Sequence, residues 1–148
     1  SEELGIPMDE IRLDGKFGSF LNPSGNLIDA YLGFLDIGGA ADLPFSPIEV
    51  EELFSLPFRY FFENAPEVYT LRIEMQPVFT DREGNEIVGF PARELGLPLR
   101  YHQAWTGRPH SVYLYHSRPH VIWGITAKIM VNLVVRCREL GLPGELAT

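Results

Sequence analysis

The chain has 148 residues, 45% apolar and 22% charged, with a formal net charge of −8. That is the composition of an ordinary soluble globular protein and enough length for one domain, or most of one, with a real core. The acidic balance argues against a nucleic-acid backbone as partner, which would call for a basic patch. It leaves room for a phosphorylated small molecule, whose charge a bound metal neutralises locally. A single cysteine, Cys137, excludes an internal disulfide framework and a cysteine zinc site. No run approaches eighteen apolar residues and no signal peptide is visible, so no membrane partner and a cytoplasmic location are expected.

The first seven residues, Ser-Glu-Glu-Leu-Gly-Ile-Pro, are too short for a free-standing helix, because one turn fixes several dihedrals for a single hydrogen bond. They fit the last turn of a longer helix, with Gly5 as the left-handed stop and Pro7 barring continuation. Since residue 1 is not Met, a missing N-terminal part is expected. Residues 11–21 alternate, with Ile11, Leu13, Phe17 and Leu21 on one face and Arg12, Asp14 and Lys16 on the other, which predicts a half-buried strand. Asn22-Pro23-Ser24-Gly25 predicts a turn. Residues 27–35 are apolar on both faces and predict a central strand covered on both sides.

A Gly- and Pro-rich loop over 36–47 leads to an expected strand near 50–56 and a short helix over 58–63. Residues 68–79 alternate cleanly and predict one long strand, returned by Asp81-Arg82-Glu83-Gly84-Asn85 into 86–90. Residues 91–109 lack a steady period and predict a loop with one helical turn. Strands over 111–116 and 120–123 flank the turn Ser117-Arg118-Pro119. A closing helix over 124–140 would bury Ile125, Ile129, Leu133, Cys137 and Leu140 and expose Lys128, Asn132, Arg136 and Glu139. Layer rules favour a mixed sheet with helices on both faces.

Four stretches resemble one family. Glu2-Glu3-Leu4-Gly5-Ile6 is similar to the tail of the Nudix box, G-x5-E-x7-R-E-U-x-E-E-x-G-U, with U a bulky aliphatic. Phe20-Leu21-Asn22-Pro23-Ser24-Gly25 followed by Tyr31-Leu32-Gly33-Phe34-Leu35-Asp36 resembles the strand–turn–strand after the box in the coenzyme A pyrophosphatase branch. Glu49-Val50-Glu51-Glu52-Leu53-Phe54-Ser55-Leu56-Pro57 resembles that branch's E-V-x-E-V-F-x-V-P-L segment. His120-Val121-Ile122-Trp123-Gly124-Ile125-Thr126-Ala127-Lys128 resembles its H-x-I-W-G-A-T-A-R opening of the last helix. Each alone is an ordinary turn, strand or helix end, but all four occur in family order.

The resemblance implies an α/β fold, the Nudix α/β/α sandwich with a mixed sheet, here without its N-terminal strands and most of the Nudix helix. It implies hydrolysis of a nucleoside diphosphate linked to another moiety, coenzyme A or a derivative among them, with Mg²⁺ or Mn²⁺ as cofactor. Glu2 and Glu3 match the adjacent box glutamates, and Glu3, one turn after the family's R-E glutamate, is the better metal ligand and catalytic candidate. Glu49, with Glu51 and Glu52 behind it, is the candidate for the later carboxylate that completes the metal site or acts as base. Asn22 and Ser24 are expected at the substrate's border, although turn duty accounts for both. The R-E pair and the first box glutamate would precede Ser1, so this stretch alone is not expected to be active.

Residues 68–109 read as an insertion relative to short coenzyme A pyrophosphatases, which leaves ADP-ribose or another nucleotide open as substrate. A catalytically inactive Nudix-like binding module also stays open, and so does a homodimer. His102, His110, His116 and His120 match no standard zinc spacing and are expected as surface or hairpin residues. Tyr101, Trp105, Tyr113 and Tyr115 could stack on an adenine, but packing is their expected role.

Overall fold

A computed structural model describes residues 5–36 and 43–142. Among the described residues it is a mixed α and β fold with two α-helices and antiparallel strand pairs. The chain divides into two compact units, Ser1–Glu67 with Leu114–Thr148, and Val68–Tyr113. The range 68–109, expected as an insertion, falls within the second unit. The helix expected before Gly5 lies outside the described residues, while Gly5 itself has a left-handed φ of 60°.

In the first unit, β1 (Ile11–Leu21) and β2 (Leu27–Leu35) form a two-stranded antiparallel hairpin. Its turn is closed by Asn22: the Asn26 amide donates to Asn22 Oδ1 at 2.9 Å and the Gly25 amide to the Asn22 carbonyl at 3.1 Å. The expected strict alternation of β1 fails at two bulges, where Leu13 and Gly15 pair with neighbours Gly33 and Leu32, and Lys16 and Gly18 with Tyr31 and Ala30. Each bulge adds one unpaired residue, so the facing is reversed between the two and restored after the second. Past the second bulge it is the face carrying Phe20 that is buried, while Leu21 on the expected face is exposed, and Phe17 stacks on Phe20 at 6.0 Å. Nor is β2 central among the described residues: there it pairs with β1 alone, and Tyr31, Leu32 and Phe34 are exposed.

No strand forms over 50–56, which instead follows the turn at 47–49 as irregular chain. Pro57 and the charged Glu49-Val50-Glu51-Glu52 run work against a ladder there. The aromatic run continues into α1 (Arg59–Glu63), as its sequence suggests. Next comes β3 (Glu67–Leu71). In the second unit the long strand expected over 68–79 is broken into β3, β4 (Glu74–Met75) and β5 (Val78–Thr80), with Pro77 denying the ladder an N–H between the last two. The return β6 (Glu86–Val88) pairs Val78 with Val88 around the turn, which Asp81 caps by accepting the Glu83 and Asn85 amides at 2.9 and 2.8 Å. The loop after β6 holds a 3₁₀ turn, Leu99–Tyr101, and β7 (Trp105–Thr106), which pairs with β4.

β8 (His110–Ser117) and β9 (His120–Trp123) form the expected hairpin within a sheet of order β3–β8–β9. α2 (Gly124–Glu139) starts directly from β9. Its end is a glycine stop: Gly141 has φ 65°, its amide donates to Arg138 at 3.1 Å, and the Leu142 amide donates to Cys137 at 2.9 Å. Those two bonds satisfy the last carbonyls in the Schellman pattern.

The buried residues of α2 are Ala127, Leu133, Val134 and Cys137. Leu133 and Cys137 belong to the expected stripe, but Ile125 and Ile129 are half-buried and Leu140 is 56% exposed. The buried face is thus turned by about one residue, ~100°, from the one the spacing predicts. α1 is the reason. Arg138 reaches across to donate to the Phe62 carbonyl at 2.9 Å, so the side of α2 carrying Val134 and Arg138 faces α1. Below it Phe61 packs edge-on to Tyr115 at 5.1 Å and 88°, and Tyr60 Oη donates to the His116 carbonyl at 2.7 Å.

Phe61→Ala is expected to lower unfolding stability by about 3–5 kcal/mol, the usual cost of truncating a buried aromatic, read as a reduced urea midpoint at constant m. Gly33→Ala is expected to destabilise the β1–β2 hairpin, because its Cβ would lie 2.8 Å from the Arg12 carbonyl oxygen. Gly15→Ala, with nothing within 4 Å of the added carbon, is the tolerated control.

Candidate functional site

The described parts of the resembling segments all belong to the first unit. Glu2 and Glu3 lie outside the described residues. Glu49 ends the turn at 47–49 with its side chain exposed and its amide bonded to the Ser46 carbonyl at 3.1 Å. Asn22 is half-buried and Ser24 exposed in the β1–β2 turn, where Asn22 is engaged as the turn's own acceptor. Among the described residues no hydrogen bond, ion pair or ring contact joins Glu49 to Asn22 or Ser24. Nor, among them, are three His, Cys, Asp or Glu side chains grouped so as to hold a metal ion.

The structure does bring two of the resembling segments together. His120, first residue of β9, stacks on Phe54 with ring centroids 4.1 Å apart and planes 9° from parallel. Its Nε2 faces Glu52 Oε1 at 3.8 Å, an ion-pair rather than a hydrogen-bond distance. Residues 49–57 and 120–128 are thus in contact through Phe54, Glu52 and His120. Sequence reasoning placed His120 among scattered hairpin histidines and Glu52 only behind Glu49; the available signal was their position inside two motif-like segments. His116 is more exposed and faces Glu67 at 3.2 Å. His102, in the second unit, shares a hydrogen bond of 2.9 Å with the Leu97 carbonyl.

A groove of about 620 Å³ runs between β1 and α2, lined by Lys16, Phe17, Leu32, Asn132, Val135 and Arg136 among others. Its cations are already paired. Lys16 Nζ lies 2.8 Å from Asp29 Oδ1, to which Ser19 Oγ also donates at 2.6 Å, and Arg136 binds Glu139 at 3.1 Å. The Lys16 hydrogen bond, then that of Ser19, holds the Asp29 carboxyl below its ordinary value, and the same bond to Asp29 raises Lys16. The groove therefore offers compensated charge rather than a ready anion site. Tyr115, 2% exposed, packs against Phe61 and Tyr60, the packing role expected of it, and burial raises its phenol pKa. Among the described residues no helix is long and apolar enough to cross a membrane.

No protein-family model, curated protein or solved structure matches the chain.

The Asp29 interaction makes a pH prediction. A carboxyl depressed in the fold stabilises it above the ordinary carboxyl value of 3.8, and that contribution is lost as pH falls through the folded value. Lys16, raised in the fold, contributes below 10.5 and loses its part as pH rises past that. Asp29→Asn is expected to lower the melting temperature at neutral pH and to flatten the acid limb of a melting-temperature profile below about pH 4. An unchanged acid limb would remove Asp29 from the pH dependence.

Proposed function

We propose that the chain is part of a Nudix-type, metal-dependent hydrolase. It cleaves the pyrophosphate bond of a nucleoside diphosphate linked to another moiety, with coenzyme A or a derivative as the first candidate substrate. The observation that carries this reading is the order of the four resembling segments along the chain. The contact between the third and fourth, through Phe54 and His120, supports it. So do the β1–Asn22 turn–β2 hairpin and the β9-to-α2 junction, which give the second and fourth segments the strand–turn–strand and strand–helix forms the family has. The finer fold, a mixed sheet between helical layers, belongs to the same proposal.

On this reading Glu2 and Glu3, joined by Glu49, would hold Mg²⁺ or Mn²⁺, which would supply polarisation of the phosphate oxygens. On the same reading Glu49, exposed at the end of its turn, accepts a proton from the attacking water. Asn22 and Ser24 border the substrate with one side-chain amide and one hydroxyl, neutral groups that do not repel a diphosphate. The acidic chain leaves nucleic acid outside the substrate range.

The complete gene product, given coenzyme A with Mn²⁺ or Mg²⁺, is expected to release 3′,5′-ADP and 4′-phosphopantetheine. Cleavage of ADP-ribose but not coenzyme A would move the substrate to another nucleotide; cleavage of no nucleoside diphosphate compound would overturn the proposal. Glu49→Gln is expected to lower kcat by about 10²- to 10⁴-fold, the usual worth of a positioned acid or base, at unchanged melting temperature. A wild-type kcat in that variant would remove Glu49 from the chemistry.

A further inference from the structure

We propose that His120 is a positioning residue: its imidazole anchors residues 49–57, and with them Glu49, to the β8–β9 hairpin. The catalytic consequence rests on the hydrolase reading above; the anchoring does not.

Residues 50–57 form no strand, so no ladder holds them. Their turn is closed from the N-terminal side, by the Glu49 and Val50 amides on the Ser46 carbonyl at 3.1 and 2.9 Å. After that, the next backbone bond out of the segment is the Tyr60 amide on Pro57. Between those points the position of the chain has to be set by side chains: Leu53 and Leu56 are half-buried, Glu52 faces His120 at 3.8 Å, and Phe54 makes the ring stack. Its phenyl ring lies face to face with the His120 imidazole at 4.1 Å.

His120 suits that task because its own place is determined twice. It pairs with Ser117 at the tight end of the β8–β9 ladder, and α2 begins at Gly124, directly after β9. Its side chain is 24% exposed, while that of Glu52 is 66% exposed. The imidazole is thus the fixed partner and the loop the held one. A flat ring is needed for the stack, and a nitrogen at its edge serves Glu52. The stack works in either protonation state; the 3.8 Å contact with Glu52 adds attraction only when His120 is charged.

The test is hydrogen exchange on the complete protein, with kinetics alongside. In His120→Ala, amides within 50–57 should exchange about three- to tenfold faster, as loss of one ring stack implies, while α2 amides keep their rates. His120→Phe, which keeps a ring in place, should restore most of the protection. Phe54→Leu should reproduce the effect without touching β9, which covers the case in which His120→Ala fails to fold. If hydrolysis is present, His120→Ala should lower kcat more than it changes KM, and His120→Phe should recover it. Unchanged exchange at 50–57 in both His120→Ala and Phe54→Leu would overturn the anchor. Loss of protection spread equally through β9 and α2 would also overturn it, reducing His120 to a general packing residue. Faster exchange in a protein that hydrolyses nothing would uphold the anchor and sink the hydrolase reading alone.

Discussion

The edge-on packing of Phe61 against Tyr115 is the contact on which the first unit depends. It sets α1 on β8, and the Tyr60 hydroxyl bonded to the His116 carbonyl fixes α1 at a second point. α2 must then cover that aromatic surface, so Ala127, Val134 and Cys137 turn inward. Rings bury the most area per residue and favour an edge-to-face geometry, so one pair can orient two elements at once. The same β8–β9 hairpin that carries Tyr115 carries His120, so the Phe54 stack rests on a hydrogen-bonded strand pair.

The apolar surface left outward is large. Leu27, Phe34, Tyr31 and Leu32 on the hairpin β1–β2 stand exposed. A two-stranded ribbon is a weak unit in water, and three or more strands or a covering helix are what normally stabilise one. The proposed sandwich would supply that cover, which ties the exposed faces to the same reading as the motif order.

Much of this was legible in the residues, and the exceptions have local causes. The β1–β2 turn was readable because Asn22, Pro23 and Gly25 each have one role there, and α2's stop because Gly141 follows its last turn. The hairpin β8–β9 was readable from its alternation and its Arg118-Pro119 turn. The two bulges in β1 were not, since they depend on how Gly15 and Gly18 settle against β2. The long strand expected over 68–79 failed because period-two alternation continues across Pro77, where pairing cannot. The face of α2 was misplaced because spacing within a helix says nothing of α1, whose Phe62 carbonyl draws Arg138 to its side. Of the candidate site, Glu49, Asn22 and Ser24 were found as turn residues. The Phe54–His120 stack joins positions far apart in sequence, and single-residue patterns do not encode such pairs.

The proposed reaction adds water across a pyrophosphate bond. The most direct measurement is turnover of coenzyme A by the complete gene product with Mn²⁺ in ¹⁸O-enriched water, followed by mass spectrometry of the products. Hydrolysis predicts one ¹⁸O on the phosphate of a single product, with the other unlabelled. Unlabelled products, or intact coenzyme A and ADP-ribose after prolonged incubation, would contradict it.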